Sequence, residues 1–410
     1  MWAAGLSLCL VVALAGVLTT RDGRHDVEPG SFDAPRASPG EASAALSAFV
    51  AAVDARDGAA LAALAPPDDA AATEVLAGIA DNVASLQIDA VTARYVDQVG
   101  TVDTDGRWSG VVELTWQVGG FDAAPSAADV VATFAPSGDG LGLVGFGGLG
   151  GLGGADAAGA RTPLWLRGRL SVVRRPGVLV MVDGGGAEAR AVAARTRRGI
   201  DVVRRVLPDW RGPAVVEVPA SGADLDETLG VTPGTYAAIA GVTATAGQGS
   251  GAGAPVHVFV NPDVTGGLRR AGAQVVMSHE LTHLATNAAR TPLEPWLLEG
   301  FADYVALRDS GLPDRTTLGR AIAAVRRDGL PRRLPEAADL DTQAVGLRAR
   351  YEESWLACRV VAERLGEQGL VEVYDAAAAG QRLDRVLDRA GLSVADLTDV
   401  WRDRLDALAR

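Results

Sequence analysis

Past residue 40 the chain alternates between two hydrophobic rhythms. From Glu41, the positions Ala44, Leu46, Phe49, Val50 and Val53 fall on one face at helical spacing, and Gly58 marks a stop. A second helix is predicted over Ala70–Ser85. Strand-like runs follow at Ile88–Val99, Gly110–Val118, Val130–Phe134 and Leu141–Phe146. Two helices and then a series of strands is the order of an α+β layer, with helices packed on an antiparallel sheet. Residues 41–146 are therefore read as one small α+β domain.

Residues Gly147–Ala160 are almost entirely Gly, Ala and Leu. A phosphate loop needs a strand, an ordered Gly turn and a helix with a Lys or an acidic partner, and that combination is missing. The segment 147–164 reads as a flexible linker and a domain boundary. Beyond it the rhythm changes. Val178–Val182 is predicted as a strand, Glu188–Leu207 as a helix closed by Pro208, and Ala214–Val218 and Pro255–Val260 as further strands. The Gly-, Ala- and Thr-rich segment Val242–Ala254 reads as a loop or hairpin. From Leu268 nearly everything is helical. Residues 165–410 thus form a second domain with a small sheet and a largely helical C-terminal half, and the whole chain is α+β.

The first twenty residues change the picture in a different way. Trp2–Thr20 carries no charge, and its length of about 19 residues is close to what a bilayer core requires. Residues 1–20 are either a signal peptide or a transmembrane anchor. The absent basic n-region and the lack of a small-x-small cleavage site favour the anchor. Leu8 before Cys9 makes a poor lipoprotein acceptor. Residues 21–40, with Pro29, Gly30, Pro35, Pro39 and Gly40, have linker composition. The membrane is therefore an expected partner, with the second domain outside the cytoplasm, anchored or secreted. Arg21 and Arg24 oppose that orientation on the positive-inside rule, diluted by Asp22, Asp26 and Glu28.

The net charge of −13, with arginine as the sole fixed side-chain cation, excludes a non-specific nucleic-acid binder. The pairs Arg204–Arg205, Arg269–Arg270 and Arg326–Arg327 are scattered and read as solvated helix faces. Two cysteines, Cys9 and Cys358, build neither a disulfide framework nor a cysteine-rich zinc site. Histidine is scarce: His25, His257, His279 and His283.

Two of those four histidines stand in Ser278-His279-Glu280-Leu281-Thr282-His283, within the helical run Leu268–Asn287. Positions i and i+4 stack on one helix face, so the two imidazoles can share one tetrahedral ion. Glu280, rotated one position round, is placed to reach a water on that ion rather than to bind it. A catalytic zinc site needs one more protein donor. No histidine follows His283, and Thr286 and Ala289 exclude the extended pattern with a third histidine. The donor should be a carboxylate. In Glu294–Tyr304, Pro295 suits a helix first turn, which makes Glu299 and Asp303 an i, i+4 pair. Glu299 is expected to bind the metal and Asp303 to accept the outer N–H of a ligating histidine. Gly300 is expected to let this helix approach the metal helix. Glu294 is a rival ligand, although it precedes Pro295.

The segments HELTH (279–283) and PWLLEGFADY (295–304) resemble the gluzincin metallopeptidases, and more closely the bacterial peptidase MA-like domains, over roughly residues 175–380. The resemblance implies one Zn²⁺ held by His279, His283 and Glu299, with Glu280 as general base and Asp303 behind a histidine. It also implies that Tyr351, in a Tyr-x-x-Ser pattern, donates to the oxyanion. His257, on the strand just upstream of the metal helix, is implied to lie along the substrate. More faintly, residues 41–146 resemble the cone-shaped nuclear-transport-factor-2-like domain. The expected function is hydrolysis of peptide or protein substrates. The competing expectation is a membrane-tethered binding or scaffold protein on a non-catalytic peptidase fold. An aminopeptidase-like hydrolase is a third reading, without a Gly-x-Met-x-Asn motif to support it.

Overall fold

Ser38 opens the first helix of the described residues, Pro39–Ala55: its Oγ accepts from the Glu41 N–H, and Pro39 sits in the first turn, where no amide proton is needed. Asp69 caps Ala70–Leu86 in the same way, accepting from the Ala72 N–H at 2.9 Å. Both helices lie against an antiparallel sheet of four strands, β1 (Ile88–Val99), β2 (Trp108–Val118), β3 (Ser126–Ser137) and β4 (Gly140–Phe146), ordered as they occur in the chain. Period-2 alternation sets the buried face: Trp108, Val112, Leu114, Trp116 and Val118 of β2 point inward, while Glu113 points to solvent. Trp108 packs on Phe134 with ring centroids 5.0 Å apart, and Leu46, Phe49 and Ile79 fill the space beneath the helices.

The computed structural model describes residues 36–147, 159–249, 251 and 253–410. The apolar segment 1–20, residues 21–35 of the expected linker and Gly-rich residues 148–158 lie outside the described residues. Among the described residues, no helix is long and apolar enough to cross a membrane.

A second sheet carries the rest of the fold. Its strands are β5 (Ser171–Arg175), β6 (Val178–Val182), β7 (Ala214–Val218), β8 (Gly241–Thr245) and β9 (Val256–Val260), in the order β5-β6-β7-β9-β8. The central strands β6, β7 and β9 are parallel, and β5 and β8 run antiparallel at the two edges. Every residue of β6 and β7 is buried. That requires cover on both faces. Val178, Val180, Val182, Val216 and Val258 meet the helices of the second half, whereas Leu179, Met181 and Val215 join the core of the first sheet and its helices. The first module is therefore the outer layer of the second, and Ala37–Arg410 forms one compact unit across the expected boundary at 147–164. Asn82 fixes the connection: its Nδ2 donates to the carbonyls of Trp165 (2.9 Å) and Gly168 (2.5 Å), and its Oδ1 accepts from the Leu170 N–H (3.0 Å).

On the other face lie Gly186–Val206 and Arg270–Ala285, followed by Pro295–Leu307, Gly319–Asp328, Leu347–Ala378 (interrupted at Gly366) and Val394–Ala409. Gly300 does permit a close helix approach, but to a different helix from the one expected. A Cβ there would stand 2.2 Å from the Ser354 carbonyl oxygen and 2.8 Å from Cys358 Sγ, so the glycine seats Leu347–Ala378, not Arg270–Ala285.

Candidate metal centre

The helix Arg270–Ala285 presents His279 and His283 one turn apart, their rings nearly perpendicular with centroids at 4.6 Å. Their Nε2 atoms are 2.9 Å apart. Glu299, on Pro295–Leu307, brings Oε2 to 3.1 Å from His279 Nε2 and 3.3 Å from His283 Nε2. Tetrahedral zinc, with bonds of about 2.0–2.2 Å, separates its ligand atoms by roughly 3.3–3.5 Å. Two imidazole nitrogens and one carboxylate oxygen thus converge with nearly that spacing, and they fit such an ion with a small outward adjustment. Asp303 Oδ1 accepts from His279 Nδ1–H at 2.8 Å. In a neutral ring that contact places the proton on Nδ1 and leaves the Nε2 lone pair facing the shared point. Glu294 does not compete: it is exposed at the N-cap and lines a separate groove with Trp296 and Arg333.

The charges around this point favour a cation. Burial works against a charged His279, but Asp303 and Glu299 more than offset it and raise its pKa well above the usual imidazole range. Burial likewise pushes Glu299 up, and His283 and His279 overcome it, holding the carboxylate well below its ordinary range. The pull these carboxylates exert on a proton would act equally on a metal ion. Nearby, Phe301 stacks on Tyr374 at 4.4 Å, and the Tyr374 hydroxyl donates to Thr286 Oγ1 at 3.1 Å.

Glu280 leaves the same helix toward a cleft of about 860 Å³. Its Oε2 accepts from the Thr243 hydroxyl at 2.9 Å, and that hydroxyl also lies 3.0 Å from the Glu280 backbone carbonyl. Thr243 belongs to the edge strand β8. Two residues earlier, Gly241 supplies the space, since a Cβ there would lie 2.9 Å from Glu280 Cγ. Burial raises the Glu280 pKa, partly offset by His279, His283 and Thr243. Tyr351, at the start of Leu347–Ala378, lines the cleft with its ring centroid 6.1 Å from that of His279. Burial and the nearby Glu299, Glu280 and Asp303 push its phenol well upward, so it stays protonated and able to donate.

His257 does not join this group. The strand that edges the cleft is β8, whereas β9, which carries His257, runs inside the sheet between β7 and β8. The ring is buried on the opposite face, against the first module. Nδ1 is 2.6 Å from Glu217 Oε1 and Nε2 is 2.9 Å from Asp122 Oδ1, so both nitrogens are taken and substrate contact is ruled out. Burial opposes a charged ring there, but the two carboxylates raise its pKa to about 10.

The structure thus gathers His279, Glu280, His283, Glu299, Asp303 and Tyr351 at one place and sets His257 apart. Thr243 and Gly241 belong to the site and were not anticipated. Their segment has no hydrophobic period, and only the pairing of Thr243 with Val258 and of Ala244 with His257 fixes which side faces Glu280. No family model matches the chain, and no curated protein matches it in sequence.

Proposed function

We propose that this protein is a gluzincin-type zinc peptidase, with His279, His283 and Glu299 as metal ligands and Glu280 as general base. The observation that carries the reading is the convergence of two Nε2 atoms and one carboxylate oxygen within 3.3 Å of one another, beside a buried glutamate that opens on a large cleft. When bound, zinc supplies Lewis-acid polarisation of a scissile carbonyl and lowers the pKa of water at the site. Glu280 takes the proton of the attacking water and returns it to the departing amine. Tyr351 donates a hydrogen bond to the developing oxyanion. Asp303 holds His279 in the tautomer that ligates. Strand β8, at the edge of the sheet and lining the cleft through Gly241, is placed to receive an extended peptide.

The four-stranded antiparallel sheet and its helices support a nuclear-transport-factor-2-like reading of the first module. The apolar segment Trp2–Thr20 supports work outside the cytoplasm, on a membrane or after secretion.

Glu280→Gln separates the peptidase from a non-catalytic scaffold. Zinc content should match the wild type while cleavage of a mixed peptide pool falls to background. Peptidase activity retained in that variant, or a wild-type protein that binds zinc and cleaves nothing with or without chelator, would overturn the assignment.

A further inference from the structure

The cleft beside the metal centre has a chemical character of its own. Helix Gly319–Asp328 turns one face toward it, with Ala323 and Ala324 as a floor between Arg320 and Arg327 at positions i and i+7. Val275, Val276 and Ile239 complete apolar walls. Arg348, one turn before Tyr351 on Leu347–Ala378, lines the same space.

The carboxylates at the cleft are all engaged. Asp303 holds His279, and Glu280 accepts from Thr243. Glu352 accepts from the backbone N–H groups of Arg320 (2.7 Å) and Ala321 (2.8 Å) and pairs with the Arg320 guanidinium (3.1 Å). The arginines are not matched to the same degree. Among the described residues Arg327 is paired with its chain neighbour Asp328 alone, an exposed pair that an incoming anion can replace. Arg348 is exposed and makes no ion pair among the described residues. Three arginines thus face three carboxylates across the cleft, and with those carboxylates engaged, exposed Arg327 and Arg348 are open to an incoming anion.

We propose that the cleft selects peptides that lay a small apolar side chain on the alanine floor and bring a carboxylate to the rim formed by Arg327 and Arg348. The carboxylate is either an Asp or Glu side chain or the peptide's own C-terminus. This selectivity rests on the peptidase reading, but it is a binding property and can be read without turnover.

The test uses full-chain Glu280→Gln protein loaded with zinc and fluorescent peptides matched except for Glu against Gln and for a free against an amidated C-terminus. Fluorescence anisotropy at low salt should show the acidic peptide binding roughly tenfold tighter than its neutral match, as expected for two solvent-exposed charge pairs. The double variant R327E/R348E, changed at exposed positions, should abolish or reverse that preference. Loss of the preference on Glu-to-Gln exchange assigns a side-chain carboxylate, and loss on amidation assigns the C-terminus. Equal affinity for acidic and neutral peptides, or a preference that survives in R327E/R348E, would overturn the proposal. Selective binding with no cleavage by the wild type would instead sink the peptidase reading alone.

Discussion

Thr243→Val isolates the least expected contact in the site. The substitution keeps the β-branched shape and deletes the hydroxyl that lies 2.9 Å from Glu280 Oε2 and 3.0 Å from its carbonyl oxygen. A hydroxyl has one proton to give, so what is lost is one hydrogen bond to a buried carboxylate. Such bonds contribute about 1.5–3 kcal/mol. If that stabilisation is used to orient Glu280 for proton transfer, kcat should fall roughly ten- to a hundredfold. The bond also favours the ionised form, so its loss should push the Glu280 pKa further up and move the acid limb of the kcat/KM profile to higher pH. The assay is peptide hydrolysis across pH, with zinc content measured on the same samples. Unchanged metal with lower kcat and a shifted acid limb supports the role. A variant within twofold of wild type, with its acid limb unmoved, would refute it.

Two further outcomes concern the seam between the modules. The His257 imidazolium is stabilised by Asp122 and Glu217, so its folded-state pKa of about 10 exceeds the unfolded 6.5 and the charged ring stabilises the fold. That stability is complete below pH 6.5 and drains away as pH rises toward 10; urea titrations should show it in wild type and lose it in His257→Gln, and parallel stability–pH curves for the two would contradict the assignment. Residues 165–410 expressed alone should aggregate or stay unfolded by circular dichroism. They would expose Leu179, Met181 and Val215, at about 1.5–3 kcal/mol each, a loss comparable with the whole stability of many domains. Cooperative melting at the full-length temperature would show that the first module is dispensable to the fold.

What the sequence revealed followed from how local each signal is. The strand Val178–Val182 stands where its unbroken valine-rich run puts it, because that signal is written within a few residues, whereas Ile88–Val99 keeps its bounds although two register shifts break its alternation. The i, i+4 relations of His279 with His283 and of Glu299 with Asp303 are fixed by helix geometry alone, so the side chains that converge were legible once the helices were. Partners brought together by tertiary pairing were not. Strand β5 carries arginines at a sheet edge, and its pairing with β6 decides its state. The eight-residue helix Gly222–Leu229 is too short for its period to stand out. His257 was misplaced because Asp122, which holds it, lies 135 residues away and in the other module. Gly300 signalled a close approach, but the helix it admits is Leu347–Ala378 and not the expected Arg270–Ala285, because the sequence does not say which helix packs there.

The central claim is that two imidazoles and one carboxylate grip a single zinc ion, and the direct measurement is metal content by mass spectrometry on the dialysed full chain beside His283→Ala and Glu299→Ala. Wild type should retain one zinc per chain and both variants should lose it. A wild-type protein without stoichiometric metal, or variants that keep it, would contradict the account.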